Sequence, residues 1–294
     1  MSGLDSPTAT GDLGTLEGPL LIFGGPYSNR QATLAMRAEA ERRQIPPSRV
    51  ICTGDVVAYC ADPEVTVELI RAWGIAVVMG NCEESLAADA DDCGCGFDQG
   101  SSCDLLSSQW YSYARQRLSP ASKRWMQQLP RAILLRLNGL RLNGLRVRLI
   151  HGSVDRINGY VFGSSSTQEL TRQLDLAATD LVIGGHCGIP FGRQLGARGW
   201  LNAGVIGMPA NDGTPDGWYL LLTPTVGGVV ASWHRLAYDQ RGAAQALQAE
   251  GLVQGYARAL ESGCWPSLQV LPEAERAQAG RPLVLPELPF SLPT

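Results

Sequence analysis

The sequence predicts an α/β fold, one domain of two packed mixed β-sheets flanked by helices. Short apolar runs alternate with helical patterns over roughly the first 80 residues, and a series of β-like segments follows in the second half. The strand–helix–strand–helix–strand order implies parallel pairing with right-handed crossovers. A chain of 294 residues, 45% of them apolar, is also long enough to bury a large core.

Residues 1–18 hold Gly, Ser, Thr, Asp and Pro without periodicity, and read as a disordered N-terminal segment. Pro19 to Gly24 is a short apolar run ending in Gly24-Gly25-Pro26, which suits a buried strand and a turn. Asn29 is placed to cap a helix running to Arg43. Arg49 to Thr53 and Ile75 to Met79 are further strands, separated by a helix that Pro63 opens. Residues 83–103 are polar, acidic and rich in Gly and Cys, so a loop insertion is expected there, with helix beyond it to Gln128. Arg136 to Leu140 recurs at once as Arg141 to Leu145; each copy carries Asn-Gly, a hairpin signal. Asp180 to Gly184 is another buried strand, and Trp200 to Val205, Trp218 to Leu222 and Gly228 to His234 read as antiparallel strands. The main domain is thus expected over 19–240. Residues 241–294 should add two helices and an extended proline-bearing tail packed on it.

Composition narrows the function. The formal charge is −4, from 24 basic and 28 acidic side chains, with no block of like charge. That argues against a general nucleic-acid or membrane-surface binder. No apolar run reaches the ~20 residues of a membrane helix, and the polar, acidic N-terminus is not a secretory signal, so a cytoplasmic location is expected. Eight cysteines without an export signal read as reduced thiols, some of them bound to metal, rather than as a disulfide framework.

Chemistry is expected after four of the predicted strands, where ligands gather in α/β sheets. The motifs are Gly54-Asp55, Gly80-Asn81-Cys82-Glu83, His151-Gly152-Ser153 and Gly184-Gly185-His186-Cys187-Gly188. They supply one carboxylate, one amide oxygen and two of the chain's three imidazoles, a donor set that suits Zn, Mn or Fe(II). Each residue has a bland reading as well: Asp55 as a turn cap, Asn81 as a left-handed turn residue. The third histidine, His234, sits in a predicted strand and reads as structural.

The order GD, GN, HG, GHxx resembles the calcineurin-like metallophosphoesterases, in particular their bacterial branch of small phosphodiesterases and phosphatases. Val56 to Pro63, Arg156 to Ser165 and Asn202 to Pro209 are similar to the stretches that flank the family's motifs. The resemblance covers about Leu20 to Arg276. It implies a four-layer αββα sandwich, a small phosphorylated substrate, and metal ligands at Asp55, Asn81, His151 and His186. The family holds two ions roughly 3.5 Å apart. Here its D-x-H-x-N motif reads Gly25-Pro26-Tyr27-Ser28-Asn29, and its G-H-x-H motif reads Gly185-His186-Cys187-Gly188. All three missing ligands belong to one metal, so the resemblance implies one lost half-site beside one complete one. Cys82 replaces a catalytic histidine common in the family, and acid catalysis then needs another donor or water. Tyr27 either packs inertly or lends its phenol to the vacated site.

Three functions stay open on the sequence. One is a phosphoric-ester hydrolase using a single Mn, Zn or Fe ion, with Asp55, His151, Cys82 and Tyr27 as candidate catalytic groups. Another is an inactive relative that binds metal or ligand. The third is a thiol- or iron-linked role through Cys93, Cys95 and Cys103, which could bind a metal or cluster. Exposed aromatic strands leave room for a homodimer.

Overall fold

The computed structural model describes residues 10–96, 100–138, 144–252 and 254–291. Strand β1 (Thr10–Leu16) precedes β2 (Leu20–Phe23), helix α1 (Arg30–Arg42), β3 (Val50–Cys52), α2 (Pro63–Trp73) and β4 (Ala76–Val77). Helices α3 (Asn81–Ala87), α4 (Ser102–Arg117) and α5 (Pro120–Gln127) follow, then the hairpin strands β5 (Ala132–Leu137) and β6 (Leu145–Ile150). Next come α6 (Thr167–Ala177), β7 (Leu181–Gly184), β8 (Phe191–Leu195) and β9 (Arg198–Asn202). The long strands β10 (Gly217–Thr225) and β11 (Gly228–Leu236) lead to α7 (Gln240–Ala249), α8 (Gln254–Ser262), a single helical turn at Glu273–Arg276, and β12 (Leu288–Ser291).

Two six-stranded mixed sheets result, ordered β1-β5-β6-β7-β9-β8 and β12-β11-β10-β2-β3-β4. Leu20, Ile22, Ile51, Leu149, Ile183 and Leu220 are among the wholly buried side chains packed between the sheets. The opposite face of β2–β3 buries Leu21, Phe23 and Cys52 against Met36 of α1 and Ile70 of α2. On the other outer face, Leu170 and Leu174 of α6 pack on Val182 and Trp200. The alternation along β2 and β3 thus feeds two cores at once, which is why these strands read as continuous apolar runs. This is the expected helix–sheet–sheet–helix arrangement.

Several local expectations need correction. Residues 10–16 are not a disordered lead-in: β1 pairs parallel with β5 from Thr10↔Ala132 to Leu16↔Leu137. Its alternation is faint because only Leu13 and Leu16 reach the core. Residues 1–9 lie outside the described residues. The stretch 83–103 is not one loop. It begins inside α3 and ends inside α4, and the acidic residues at its start sit in the first turn of α3, where the helix dipole favours them. Trp200 to Val205 is not in an antiparallel run with Trp218 to Leu222. β9 pairs parallel with β7 and antiparallel with β8, a strand the sequence did not signal. The β5–β6 hairpin forms, but its repeated Asn-Gly turn falls outside the described residues. Cys93 and Cys95 are joined as a disulfide rather than free, whereas Cys52, Cys60, Cys82, Cys103, Cys187 and Cys264 are free thiols.

Helix α1 is tied to the second sheet by Glu39. Its carboxylate accepts from Tyr219 Oη at 2.6 Å, from Arg43 Nε at 2.7 Å and from Arg42 Nε and Nη2 at 2.7 Å. The Arg42 hydrogen bond, with Tyr219 and Arg43 helping against burial, lowers its pKa from 4.5 to about 2. Because the folded value is depressed, this stabilisation is present above pH 4.5 and is lost as pH falls towards 2. Glu39→Gln should lower stability at pH 7 by about 1 kcal/mol, and the difference from wild type should shrink in urea titrations at pH 3.

Candidate metal centre

The four chemistry-bearing motifs meet at the carboxyl ends of β3, β4, β6 and β7. The meeting starts with His151, at the end of β6. Its Nδ1 lies 2.7 Å from the carbonyl oxygen of Thr53. A carbonyl can only accept, so Nδ1 carries a proton and donates it. In the neutral ring Nε2 is then a lone pair. Around that nitrogen stand Asn81 Oδ1 at 2.9 Å, His186 Nδ1 at 3.1 Å and Asp55 Oδ2 at 3.2 Å. Asp55, His151 and His186 each offer a ligand atom within 4.8 Å of the others. Asp55, Asn81 and His151 are buried and His186 is half-buried.

Four lone-pair donors converging away from water repel one another unless a positive charge sits among them. Without a metal, a proton on His151 is the substitute. Burial alone would push the His151 pKa down, but the Asp55 carboxylate raises it overall. Burial likewise opposes the ionised Asp55, and the His151 charge outweighs it and lowers the carboxyl. His186 drops to about 3, first through burial and then through repulsion from His151, so it stays a neutral donor. The donor set of one carboxylate, one amide oxygen and two neutral imidazoles therefore fits a divalent transition metal.

The backbone is strained where these ligands sit. Asp55 and His186 adopt φ of 56° and 52°, the left-handed region that costs a side-chain-bearing residue energy. Tertiary contacts hold them there. Asn81 is aimed by its own amide, whose Nδ2 donates to the Cys93 carbonyl at 2.9 Å and leaves Oδ1 facing His151. The turn around the Cys93–Cys95 disulfide is in turn held by Asn158, which donates to the Gly94 carbonyl at 2.9 Å. The cysteine segment thus contributes a carbonyl to the site and not thiolates. Among the described residues, no group of Cys93, Cys95 and Cys103 forms a metal cradle, and Cys103 Sγ instead donates to Ser267 Oγ at 3.3 Å.

Glu83 is the residue that sequence reasoning missed. It is wholly buried, and its carboxylate accepts four backbone N–H groups. They come from Asp55 at 2.7 Å, Val56 at 2.8 Å, Val57 at 3.3 Å and Gly80 at 2.9 Å. One side chain therefore pins the turn that carries Asp55 to the turn that carries Asn81. A Cβ at Gly80 would lie 2.3 Å from Asp55 Oδ1 and 2.7 Å from Glu83 Oε2, so only glycine permits this approach. The available signal was Glu at the third position of a helix whose cap is Gly80, half of a capping box.

Beside these donors, Tyr27 and Trp265 close over Gly25 and Gly188. A Cβ at Gly25 would lie 2.5 Å from Tyr27 Cζ and 2.7 Å from Val205 Cγ1, and one at Gly188 would lie 3.2 Å from Trp265 Cζ2. Trp265 is fixed by its indole N–H, which donates to the Pro209 carbonyl at 2.7 Å. Tyr27 is buried, and burial followed by the Asp55 charge pushes its phenol well above its ordinary pKa. Cys82 is buried beside Asp55 and is pushed up for the same two reasons, so its thiol stays protonated. Cys52 and Cys60 flank Asp55 in sequence but turn away, towards the carbonyls of Gly54 and Gly207. His234 lies on β11 between Ser232 Oγ at 3.0 Å and Arg43 Nη2 at 3.5 Å, a structural position.

Glu83→Gln should destabilise the protein by about 1–3 kcal/mol at pH 8, because an amide offers one acceptor where four donors converge. Burial beside Asp55 raises the Glu83 pKa from 4.5 to about 7. The folded protein therefore holds this proton longer than the unfolded chain, and wild-type stability falls as pH rises between those values. Chemical denaturation from pH 4.5 to 8 should show that slope, and the variant should show a shallower one, because His151, whose pKa is also raised, titrates in both proteins.

Residues 29–225 match the family model of the calcineurin-like phosphoesterase superfamily domain. A metallophosphoesterase from Sphaerobacter thermophilus shares the fold with a TM-score of 0.64 at 19% identity, over 84% of this chain and all of that one. A hypothetical protein from Pyrococcus horikoshii OT3 superposes with a TM-score of 0.70 at 13% identity, over 85% of this chain and all of the other. No curated protein matches the sequence. With more than half of its length matched by the family model, the chain belongs to the calcineurin-like phosphoesterase superfamily.

Proposed function

We propose that this protein is a phosphoric-ester hydrolase of the phosphodiesterase or phosphatase type that works with one divalent transition metal. Asp55, Asn81, His151 and His186 would hold the ion. The observation that carries the reading is the His151 Nε2 lone pair, faced by three further donors at 2.9–3.2 Å. A divalent cation supplies Lewis-acid polarisation of a phosphoryl oxygen and makes a water more acidic.

The chain's own groups have narrower tasks. Thr53 holds the His151 tautomer, and Cys93 and Glu83 hold Asn81 and Asp55 in place. Cys82 and Tyr27 keep their protons at neutral pH. Neither serves as a ready general acid, since an efficient one has a pKa near the working pH. Tyr27 is suited to donate a hydrogen bond to a phosphoryl oxygen without giving up its proton. Leaving-group departure would fall to water, which favours esters whose leaving groups need little protonation.

A second reading has its own support. The Tyr27 and Trp265 rings stand over Gly25 and Gly188, and a second half-site walled by aromatic rings suits a family member that binds ligand without turnover. The two readings separate on activity. The hydrolase reading predicts that Mn, Zn or Fe(II) restores hydrolysis of bis(p-nitrophenyl) phosphate or p-nitrophenyl phosphate to chelated protein. Asp55→Asn and His151→Ala should each lower kcat/KM by about 100-fold or more, a loss of at least 2.7 kcal/mol in transition-state stabilisation. The metal binds only the neutral His151 ring, so protons compete with it for Nε2. Affinity should therefore weaken as pH falls through the raised His151 pKa. Stoichiometric metal with no turnover over both esters would favour the inactive reading instead. Turnover that survives both substitutions would remove the proposed site.

A further inference from the structure

Beside His186 lies a cavity of about 90 Å³. The rings of Tyr27, Tyr59, Tyr160, Tyr256 and Trp265 form much of its wall. Tyr59 is the hub, with its centroid 4.8 Å from that of Tyr27 and 4.9 Å from that of Tyr256. Tyr160 packs on the His186 ring at 4.3 Å. The rest of the wall is aliphatic or sulfur-bearing, apart from Ser267 and the His186 ring, and no Arg, Lys, Asp or Glu is among the described lining residues. Two positions of this wall, Tyr27 and Gly188, are those at which the second metal's ligands are missing. The lost half-site has thus become an aromatic chamber that shares His186 with the candidate metal centre.

The wall's chemistry selects its occupant. A phosphate or carboxylate entering it would shed water without meeting a cation. An ammonium group would find ring faces, but no acidic partner among the described lining residues. An uncharged, largely apolar group meets no such penalty. The volume is below the roughly 150 Å³ that encloses benzene in an engineered cavity. A single ring inserted partway therefore fills it.

We infer that this chamber binds an uncharged single-ring or similarly compact apolar arm of a phosphoester, which makes aryl and arylalkyl phosphoesters the substrate class. The substrate assignment rests on the hydrolase reading; the binding chamber does not. The aryl members of this class also suit a site that has no strong general acid.

Calorimetry with non-hydrolysable phosphonates tests the chamber without requiring turnover. The full chain loaded with Mn would be titrated with benzylphosphonate, methylphosphonate and 2-aminoethylphosphonate. Benzylphosphonate should bind at least about tenfold more tightly than methylphosphonate, and the aminoethyl compound should gain nothing over methyl. Ser267→Trp and Leu106→Trp, each at a lining position of the chamber, should abolish the benzyl preference while methylphosphonate still binds; thermal melts identify which of the two variants folds. Equal affinities for benzyl and methyl, tighter binding of the aminoethyl compound, or no binding of any phosphonate would overturn the inference. Turnover without benzyl preference would sink the chamber and spare the hydrolase reading. Benzyl preference in a protein that hydrolyses no ester would do the reverse.

Discussion

The hydrogen bond from His151 Nδ1 to the Thr53 carbonyl, 2.7 Å long, sets the chemistry of the centre. It fixes which imidazole nitrogen is bare. That choice turns four polar side chains from separate strand ends into a convergent set of donors. Around it the protein spends stability: Asp55 and His186 hold left-handed backbone angles, and Glu83 is buried as a charge-bearing group. Each of these features would be a defect in a purely structural protein. Together they make sense if the fold maintains a cation site.

The donors and the residues beside them are packed differently. Asp55, Asn81, His151 and His186 converge and keep their supporting contacts. Beside them, Gly25 and Gly188 are covered by aromatic rings. The Tyr27 ring occupies the space a side chain at Gly25 would need, and that glycine also holds φ at 43°. Restoring an aspartate there would require the ring, Val205 and the backbone to shift together. The change is therefore locked by sterics, and it converts a polar position into part of an aromatic wall.

Much of this was legible in the sequence, for identifiable reasons. The four motifs stood out because each pairs a glycine with a polar residue at the end of an apolar run. Their order carried the fold. From Gly25, Tyr27 and Gly188 the resemblance implied a lost half-site, and the structure adds the Tyr27 and Trp265 rings against the two glycines. What escaped depended on contacts between distant residues. β1 is stable only because it pairs with β5, more than a hundred positions away. Glu83 looks like an ordinary helix-start acid until the turn at Asp55 folds onto it, 28 residues removed. Trp265 gives no local sign that it covers Gly188. The cysteine segment suggested thiolate chemistry, yet what it offers Asn81 is the Cys93 carbonyl and the disulfide-bonded Cys95 sulfur.

The central claim is a single cation held by Asp55, Asn81, His151 and His186. Metal analysis of the purified chain, combined with anomalous diffraction from Mn-soaked crystals, tests it most directly. The account predicts one ion per chain, bonded to those four side chains, with the Tyr27 and Trp265 rings still over Gly25 and Gly188. Two fully liganded ions, or a single ion bound away from His151, would contradict it.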